Sequence, residues 1–334
     1  MGVSTLKKSI LKYSSLVALS TFLIACGNPG TSNVEEANGP LDTVAYGEQE
    51  RTRIVIADAR TTHHLNLYVA YEMGFFDELG LDVEILTLED NAAARDAVAS
   101  GQADIFWSCP TVALAAIANG APLTTIAQVK TPCTSVLAVP ADSDITSFAD
   151  LAGRRIGGIS PACEAVLALA VAARNAGVSF DLQTLAGGPA LAALEAGQIE
   201  GALLEEPHAS QAELLGFQLL FRDVSDAIPC RTINAREAFV ANNQEALELF
   251  VQAVDRANEL INNDPTADNI VEIAHDFTGA PIDAIIHGNY RLVFHTDLAV
   301  DGLILLADEL EYLGNIQENP GTAMFAPSME GITW

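Results

Sequence analysis

The stretch that decides the fold covers residues 53–86 and reads RIVIADARTTHHLNLYVAYEMGFFDELGLDVEIL. Its two ends, residues 53–57 and 82–86, are short runs rich in β-branched residues, which predict strands. Residues 65–79 between them carry apolar side chains three and four positions apart, which predicts a helix. A strand, a helix and a second strand in this order predict a parallel βαβ unit in which the helix covers the sheet.

The same alternation continues along the chain and then repeats. Further strands are predicted at 103–107, 123–129, 155–159 and 199–204, and further helices at 92–100, 110–119, 163–176, 189–196 and 208–215. Gly101-Gln102 and Gly197-Gln198 both stop a helix and lead into a strand, so the two halves resemble each other. We therefore predict two lobes with two crossings between them, at residues 135–140 and 228–233. The expected boundaries are 51–134 with 234–334, including C-terminal helices, for the first lobe and 135–233 for the second.

The first 26 residues have the layout of an export signal. A basic start with Lys7, Lys8 and Lys12 precedes an apolar run that ends in Leu23-Ile24-Ala25-Cys26. The run is shorter than the roughly 20 residues of a membrane-spanning helix. A small residue before a cysteine resembles a bacterial lipobox, which predicts Cys26 as the site of lipid attachment. The protein is then expected in the cell envelope, lipid-anchored at the membrane, with residues 27–50 as a flexible tether.

The charge of the chain excludes one class of partner. The formal net charge is −28, and Lys130 is the only lysine after Lys12. Nucleic-acid-binding proteins present a basic patch or stripe, and this sequence has none. No nucleic acid is expected as a partner, and the acidic surface is interpreted as favouring solubility.

Several stretches carry a resemblance to a known family. They are residues 67–76 (LYVAYEMGFF) with 79–83 (LGLDV), 100–105 (SGQADI), 150–157 (DLAGRRIG) and 205–207 (EEP). In order and spacing the chain from 54 to 313 resembles the solute-binding proteins of the nitrate/sulfonate/taurine/thiamine-pyrimidine class. The resemblance implies an α/β, two-lobed periplasmic-binding-protein type II fold, with two parallel-type sheets joined by a two-crossing hinge. It also implies a receptor that delivers a small solute to the transmembrane subunits of an ABC permease.

The expected binding site lies at the carboxyl ends of the strands, where open α/β sheets bind ligands. All four cysteines after Cys26 fall on such loops or on the two crossings, and three of the six histidines fall there too. The residues predicted to bind the ligand are His63, His64, Ser108, Cys109, Cys133, Ser160, Cys163, Glu206, His208 and Cys230.

Two interpretations of the four cysteines remain open. An even number of exported cysteines favours disulfides, and Cys133 with Cys230 is the plausible pair because both lie on the crossings. Alternatively, the thiols of all four are metal or ligand donors, since thiolates suit soft metals and iron–sulfur clusters. The transported solute would then be a thiolate-bound metal complex, an iron–sulfur unit or a sulfur-containing molecule.

Other ligands and an enzyme are the alternatives. Nitrate or a sulfonate would use Ser108 and Ser160 with cationic help from Arg60, Lys130 or Arg231. A thiamine pyrimidine would need aromatic walls, for which Trp107 is the best candidate. A cysteine enzyme would rely on Cys109 or Cys163, whose pKa is expected to be lowered at a helix N-terminus, with His63 nearby. No local catalytic signature accompanies them, and the consecutive cysteine run of yeast thiamine-pyrimidine synthases is absent. The sequence therefore predicts a binding protein and no enzyme.

Overall fold

The computed structural model describes residues 51–222, 224–225 and 228–326. The predicted signal with Cys26 and the predicted tether lie outside the described residues. Within the described part of the chain, every helix is too short or too polar to cross a membrane.

The first sheet has five strands in the order β2-β1-β3-β10-β4. Strands β1, β2 and β3 run parallel, whereas β10 is antiparallel to both β3 and β4. Its buried centre includes Ile54, Trp107 and Ile233. The strands are β1 Thr52–Asp58, β2 Leu81–Thr87, β3 Ile105–Ser108, β4 Leu123–Lys130 and β10 Cys230–Arg236.

The second sheet also has five strands, in the order β7-β6-β8-β5-β9. Strands β6, β7 and β8 are parallel, and β5 is antiparallel to β8 and β9. One face packs around Leu137 and Ile156, and the other around Leu194 and Leu204. The strands are β5 Val136–Val139, β6 Arg155–Gly158, β7 Asp181–Thr184, β8 Gly201–Leu204 and β9 Gln218–Leu220.

Both sheets are thus mixed α/β sheets, each with a parallel part and an antiparallel strand. The chain passes from the first sheet to the second between β4 and β5, and returns between β9 and β10. The first strand after each of these passages is β5 or β10, and each lies antiparallel to both of its neighbours. A parallel arrangement would need a crossover helix before the strand, and neither passage contains one in its described residues. Residues 135–140 and 228–233, expected as crossings, largely belong to β5 and β10. The division into lobes stays a prediction.

Twelve α-helices cover the sheets in the described residues. The helices are α1 Leu65–Glu72, α2 Phe75–Glu78, α3 Asn91–Ala99, α4 Pro110–Ala118, α5 Glu164–Asn175, α6 Gly187–Glu195, α7 His208–Leu214, α8 Glu237–Asn242, α9 Gln244–Asn263, α10 Asp268–Thr278, α11 Ile282–Gly288 and α12 Val300–Tyr312. The helix expected over 65–79 is interrupted at Gly74, whose φ of 74° is left-handed.

The C-terminal helices pack on elements of both sheets. Helix α9 lies on α1 and α2, where Phe250 stacks on Phe76 with ring centroids 5.2 Å apart. Helix α11 packs on α7, which follows β8 of the second sheet, and α12 packs on α4. An ion pair between Arg174 of α5 and Glu309 of α12 adds a second contact with the second-sheet half (2.9 Å). The C-terminal segment therefore contacts both sides of the cleft described next.

Candidate functional site

A cleft of about 500 Å³ lies where loops from both sheets meet. The loop after β1 and the start of α3 contribute from the first sheet. The loop after β6 and the starts of α6 and α7 contribute from the second, and the turn between α10 and α11 completes the wall. These are the carboxyl ends of parallel strands, where α/β sheets bind ligands. Residues lining the cleft include Arg60, Thr61, Thr62, Asn91, Ile159, Gly187, Gly188, Glu206, His208 and Arg231.

The four cysteines of the described residues meet at one place as buried free thiols. Sγ of Cys109, Sγ of Cys163 and a carboxylate oxygen of Glu164 lie within 4.8 Å of one another, and the same holds for Cys133, Cys230 and Glu164. Cys109 precedes α4 in the first-sheet half, and Cys163 precedes α5 in the second. We call the four thiols and the Glu164 carboxylate the thiol cluster. The structure brings these predicted cysteines together, and their role as ligands stays a prediction.

The disulfide interpretation differs from what the structure shows. Cys133 and Cys230, the expected pair, are both free. Sγ of Cys133 is 3.3 Å from Oγ of Ser135, and Sγ of Cys230 is 3.7 Å from Nδ1 of His63. Weak hydrogen bonds therefore occupy these thiols in place of an S–S bond.

Arg231 connects the thiol cluster with the cleft. Its guanidinium is buried and donates to Cys109 Sγ, to Glu164 Oε1 (3.2 Å) and to Glu205 Oε2 (2.6 Å). Its φ of 63° is left-handed, a conformation that non-glycine residues adopt rarely and that costs about 1–3 kcal/mol. The surrounding contacts thus hold a strained backbone that places one cation between two carboxylates.

The pKa values of Cys109 and Cys163 are raised, which corrects the expectation that a helix N-terminus lowers them. The hydrogen bond with Cys163 and then burial raise the pKa of Cys109 well above its ordinary value. The hydrogen bond with Cys109 lowers the pKa of Cys163, but burial and Glu164 outweigh it and raise that pKa to about 11. Burial, helped by Cys133, also raises the pKa of Cys230. The expected benefit of a helix N-terminus is therefore outweighed by desolvation and by neighbouring groups.

Buried polar atoms without a partner concentrate around the thiol cluster. Burial without a hydrogen bond costs roughly 1–3 kcal/mol, so such atoms are rare in proteins and often indicate a ligand or catalytic role. Among the described residues, nine side-chain N and O atoms are in this state, and five belong to residues that contact the cluster or line its cleft. The five are His63 Nε2, Asn91 Oδ1, Glu164 Oε2, Glu205 Oε1 and Arg231 Nε. This concentration supports a polar or metallic ligand at the cluster.

The two adjacent histidines have different surroundings. His63 is buried beside the thiol cluster, and its Nδ1 also lies 4.0 Å from Glu205. Burial, followed by the charges of Lys130 and Arg231, lowers its pKa well below the ordinary value, so the ring is neutral. His64 instead forms a hydrogen bond between its Nδ1 and Asp58 Oδ1, at 2.7 Å. Only His63 therefore touches the cluster directly.

The predicted serines bind protein groups. Ser108 Oγ is buried and donates to the Cys109 carbonyl at 3.0 Å, and it accepts from Asn234 at 3.3 Å. Ser160 Oγ accepts from the Ala162 amide at 3.2 Å. Neither serine contacts the thiols through these bonds.

His208 lines the cleft directly above the backbone of α6. A Cβ added at Gly187 would lie 2.7 Å from Cε1 of the His208 ring, so glycine is needed for this close approach. Burial lowers the pKa of His208, although Glu205 and Glu206 oppose the shift. The neutral ring is thus available to a ligand in the cleft.

The acidic residues of the site were only partly found from the sequence. The sequence predicts Glu206 as a ligand-binding residue. In the structure its Oε1 accepts a hydrogen bond from Arg291 at 2.6 Å, and its Oε2 accepts one from the Ser210 amide at 3.2 Å. Glu205, its neighbour, reaches Arg231. Glu164 follows Cys163 directly, and the sequence pattern predicts it only as part of the helix at 163–176, without a role at the site. Its position at the helix start beside a cysteine was the available signal, whereas no local pattern distinguishes Glu205 from Glu206.

A network of ion pairs joins α7 to α11 and the turn after it. Arg291 binds Glu206 and Glu213 together, and it donates to Ser210 Oγ at 3.1 Å. His287 Nε2 lies 2.9 Å from Glu213 Oε2. Because α7 follows the second sheet and α11 belongs to the C-terminal helices, this α7–α11 network ties one wall of the cleft to the other.

We expect the α7–α11 network to weaken at acid pH through Glu213. Burial raises the pKa of Glu213, but Arg291, His287 and Arg222 outweigh it and lower the pKa from 4.5 to about 2. A depressed folded-state pKa gives stability that is full above about pH 4.5 and is lost as pH falls towards 2. Glu213→Gln should therefore lower the urea midpoint at pH 6 and leave it nearly unchanged at pH 2. Glu195→Gln, at an exposed position, is the control; equal deficits of Glu213→Gln at both pH values would contradict the expectation.

The fold and the site together define a class of protein. Two α/β units, each around a five-stranded mixed sheet, with a cleft at their strand ends, form the periplasmic-binding-protein fold. The chain belongs to the NMT1/THI5 like family, whose model matches residues 61–268. The periplasmic aliphatic sulphonate binding protein SsuA from Escherichia coli has the same fold, with a TM-score of 0.74 and 16% identity. That similarity covers 84% of this chain and 94% of SsuA.

Two relatives by sequence differ in what their names state. Putative binding protein YtlA of Bacillus subtilis is 26% identical over 292 residues, which is 83% of this chain and 87% of YtlA. The 4-amino-5-hydroxymethyl-2-methylpyrimidine phosphate synthase THI11 of Saccharomyces cerevisiae is 32% identical over 98 residues. The chain matches only 29% of the length of that synthase.

Proposed function

We propose that this protein is an extracytoplasmic receptor of an ABC importer that closes two lobes on a small solute and holds that solute through the thiol cluster. The periplasmic-binding fold and the similarity to SsuA and YtlA support the receptor part. In this proposal Cys26 carries the lipid that anchors the chain to the membrane, and the transmembrane subunits of a permease are the partner.

The observation that carries the thiol part is the coincidence of four thiols with five unpartnered buried polar atoms. Anion sites use amides, hydroxyls and cations, whereas a set of four sulfurs with a carboxylate and an imidazole suits soft cations. The solute would be a soft metal ion or complex, an iron–sulfur unit or a sulfur-containing molecule. The raised pKa values of Cys109 and Cys163 argue against a nucleophilic role, because a nucleophilic cysteine needs a stable thiolate. The yeast synthase activity is not proposed for this chain.

One observation favours an anionic or heterocyclic solute as the second candidate. Lys130 is fully buried, and its Nζ donates to Pro132 O at 3.2 Å and to Thr134 Oγ1 at 3.3 Å. Burial of a cationic side chain is costly unless an opposite charge accompanies it, so an anion such as nitrate or a sulfonate would interact favourably with Lys130.

Thermal unfolding of the reduced protein with separate probes tests the two candidates. Zinc ion alone at about 100 times its dissociation constant should raise Tm by about 5 °C or more, because selective binding then adds about 2.7 kcal/mol to the folded state. A variant in which Cys109, Cys133, Cys163 and Cys230 are all replaced by serine should lose that rise, and small-angle scattering should show compaction in the wild type but not in this variant. Cys26→Ser is the matched control, since it removes a cysteine outside the cluster. A rise with nitrate or an alkanesulfonate and none with zinc would favour the second candidate.

A further inference from the structure

The thiol cluster consists of two pairs that share one carboxylate. Cys109 with Cys163 forms one pair, and Cys133 with Cys230 forms the other. The two sulfurs of each pair lie within 4.8 Å of each other. Glu164 is the only group that lies within 4.8 Å of both sulfurs of either pair among the His, Cys, Asp and Glu side chains of the described residues. The arrangement is thus two dithiol sites that meet at Glu164.

We propose that the thiol cluster binds two soft divalent cations, one at each cysteine pair, with the Glu164 carboxylate as the bridge between them. That the two ions are the transported solute rests on the function proposed above; the two-ion site itself does not. Each thiol loses its proton to solvent as the sulfur–metal bond forms, so four protons leave when two ions bind.

One contact matches the spacing of tetrahedral coordination. Zinc–sulfur bonds of about 2.3 Å and zinc–nitrogen bonds of about 2.0 Å place neighbouring ligand atoms roughly 3.5–3.8 Å apart, and Cys230 Sγ and His63 Nδ1 are 3.7 Å apart. No nitrogen of His63 lies within 4.8 Å of both sulfurs of the Cys133–Cys230 pair, so each site has two sulfurs and the Glu164 oxygen as its ligands. Each site then keeps an open position, as zinc sites that exchange a ligand do.

The charges are compatible with one divalent ion at each cysteine pair. When an ion binds one pair, its two positive charges replace the two thiol protons that leave, so the charge of the buried cluster does not change. A second ion at the other pair is balanced in the same way, while Arg231 stays in direct contact with Cys109 and Glu164. A buried net charge is strongly unfavourable, and neither ion adds one.

Native mass spectrometry of the full chain, reduced, freed of metal and titrated with Cd²⁺ alone, tests the proposal. The wild type should bind two ions. Cys109→Ser/Cys163→Ser and Cys133→Ser/Cys230→Ser should each bind one, and Glu164→Gln should weaken binding at both sites by at least about tenfold. One ion in the wild type that is lost from both double variants would identify a single four-thiolate site and overturn the proposal. Binding of no ion by the wild type would also overturn it.

X-ray absorption of the Cd²⁺-loaded wild type needs no variant and covers the case in which a serine variant fails to fold. A cadmium–cadmium distance of roughly 3.5–4 Å supports the carboxylate bridge, and its absence contradicts it. The receptor function is tested by a different measurement from the two-ion site. If the protein binds two ions but shows neither compaction nor zinc-linked uptake, the two-ion site stands and its role in transport is contradicted.

Discussion

Arg231→Met is expected to lower the free energy of unfolding by about 3–5 kcal/mol. The substitution keeps a long unbranched side chain but leaves Glu164 and Glu205 without the cation that both now contact. Glu164 is fully buried, and Glu205 is 12% exposed, so water cannot replace the guanidinium. Urea unfolding at pH 7 measures the loss directly.

Arg155→Met is the matched control for Arg231→Met. Arg155 pairs with Glu200 at 2.8 Å, but its side chain is 47% exposed, and such surface pairs contribute about 0–1 kcal/mol. Adding Glu164→Gln and Glu205→Gln to Arg231→Met should recover part of the lost stability, because the uncompensated charges disappear. Similar losses of unfolding free energy in Arg231→Met and Arg155→Met would contradict the expectation that the buried ion pairs of Arg231 contribute more than an exposed one.

Gly288→Ala is expected to cost about 3 kcal/mol and to break the α7–α11 network. A Cβ at this position would clash with Glu206 Oε2 and would lie 2.6 Å from Ser210 Oγ. Overpacking costs about 1–3 kcal/mol, and displacing Glu206 also separates a buried carboxylate from Arg291. Urea unfolding gives the cost, and an increase in small-angle scattering radius without solute would report the loosened cleft walls.

Gly188→Ala is the control for Gly288→Ala. Its added Cβ meets His208 Nε2 at an ordinary 3.6 Å, and alanine in a helix is favoured over glycine by up to about 1 kcal/mol. Unfolding free energy should therefore change by less than about 1 kcal/mol in this variant. A comparable loss in both variants would mean that the contact with Glu206 is unimportant.

The sequence predicted strands well where burial left a periodic or β-branched pattern. Strand Thr52–Asp58 and helix Pro110–Ala118 agree closely with their predictions. Strands Asp181–Thr184 and Gln218–Leu220 were missed because they lie at the edges of the second sheet, are short and carry polar residues. At sheet edges, half of the backbone groups face outward and the composition no longer indicates a strand.

The site was predicted as far as positions on the fold allow. The rule that ligands bind at strand ends located the four cysteines and His63 on converging loops. It could not tell which of two adjacent carboxylates contacts Arg231, since that depends on the backbone torsions around residues 205–207. It also misjudged the acidity of the thiols. Burial of Cys109 and the contact with Glu164 arise only when both sheets come together, so no local pattern encodes them.

In the proposed extracytoplasmic location, the deep burial of the thiols would determine how long they survive. Peroxides attack the thiolate, and a pKa of about 11 leaves roughly one molecule in ten thousand with a thiolate at Cys163 at pH 7. Cys163 is only 5% exposed and Cys230 is fully covered, so oxidants also lack access. Exported cysteines ordinarily end in an oxidising compartment. Slow oxidation would therefore keep this donor set reduced during the lifetime of the protein, without any reductase to restore it.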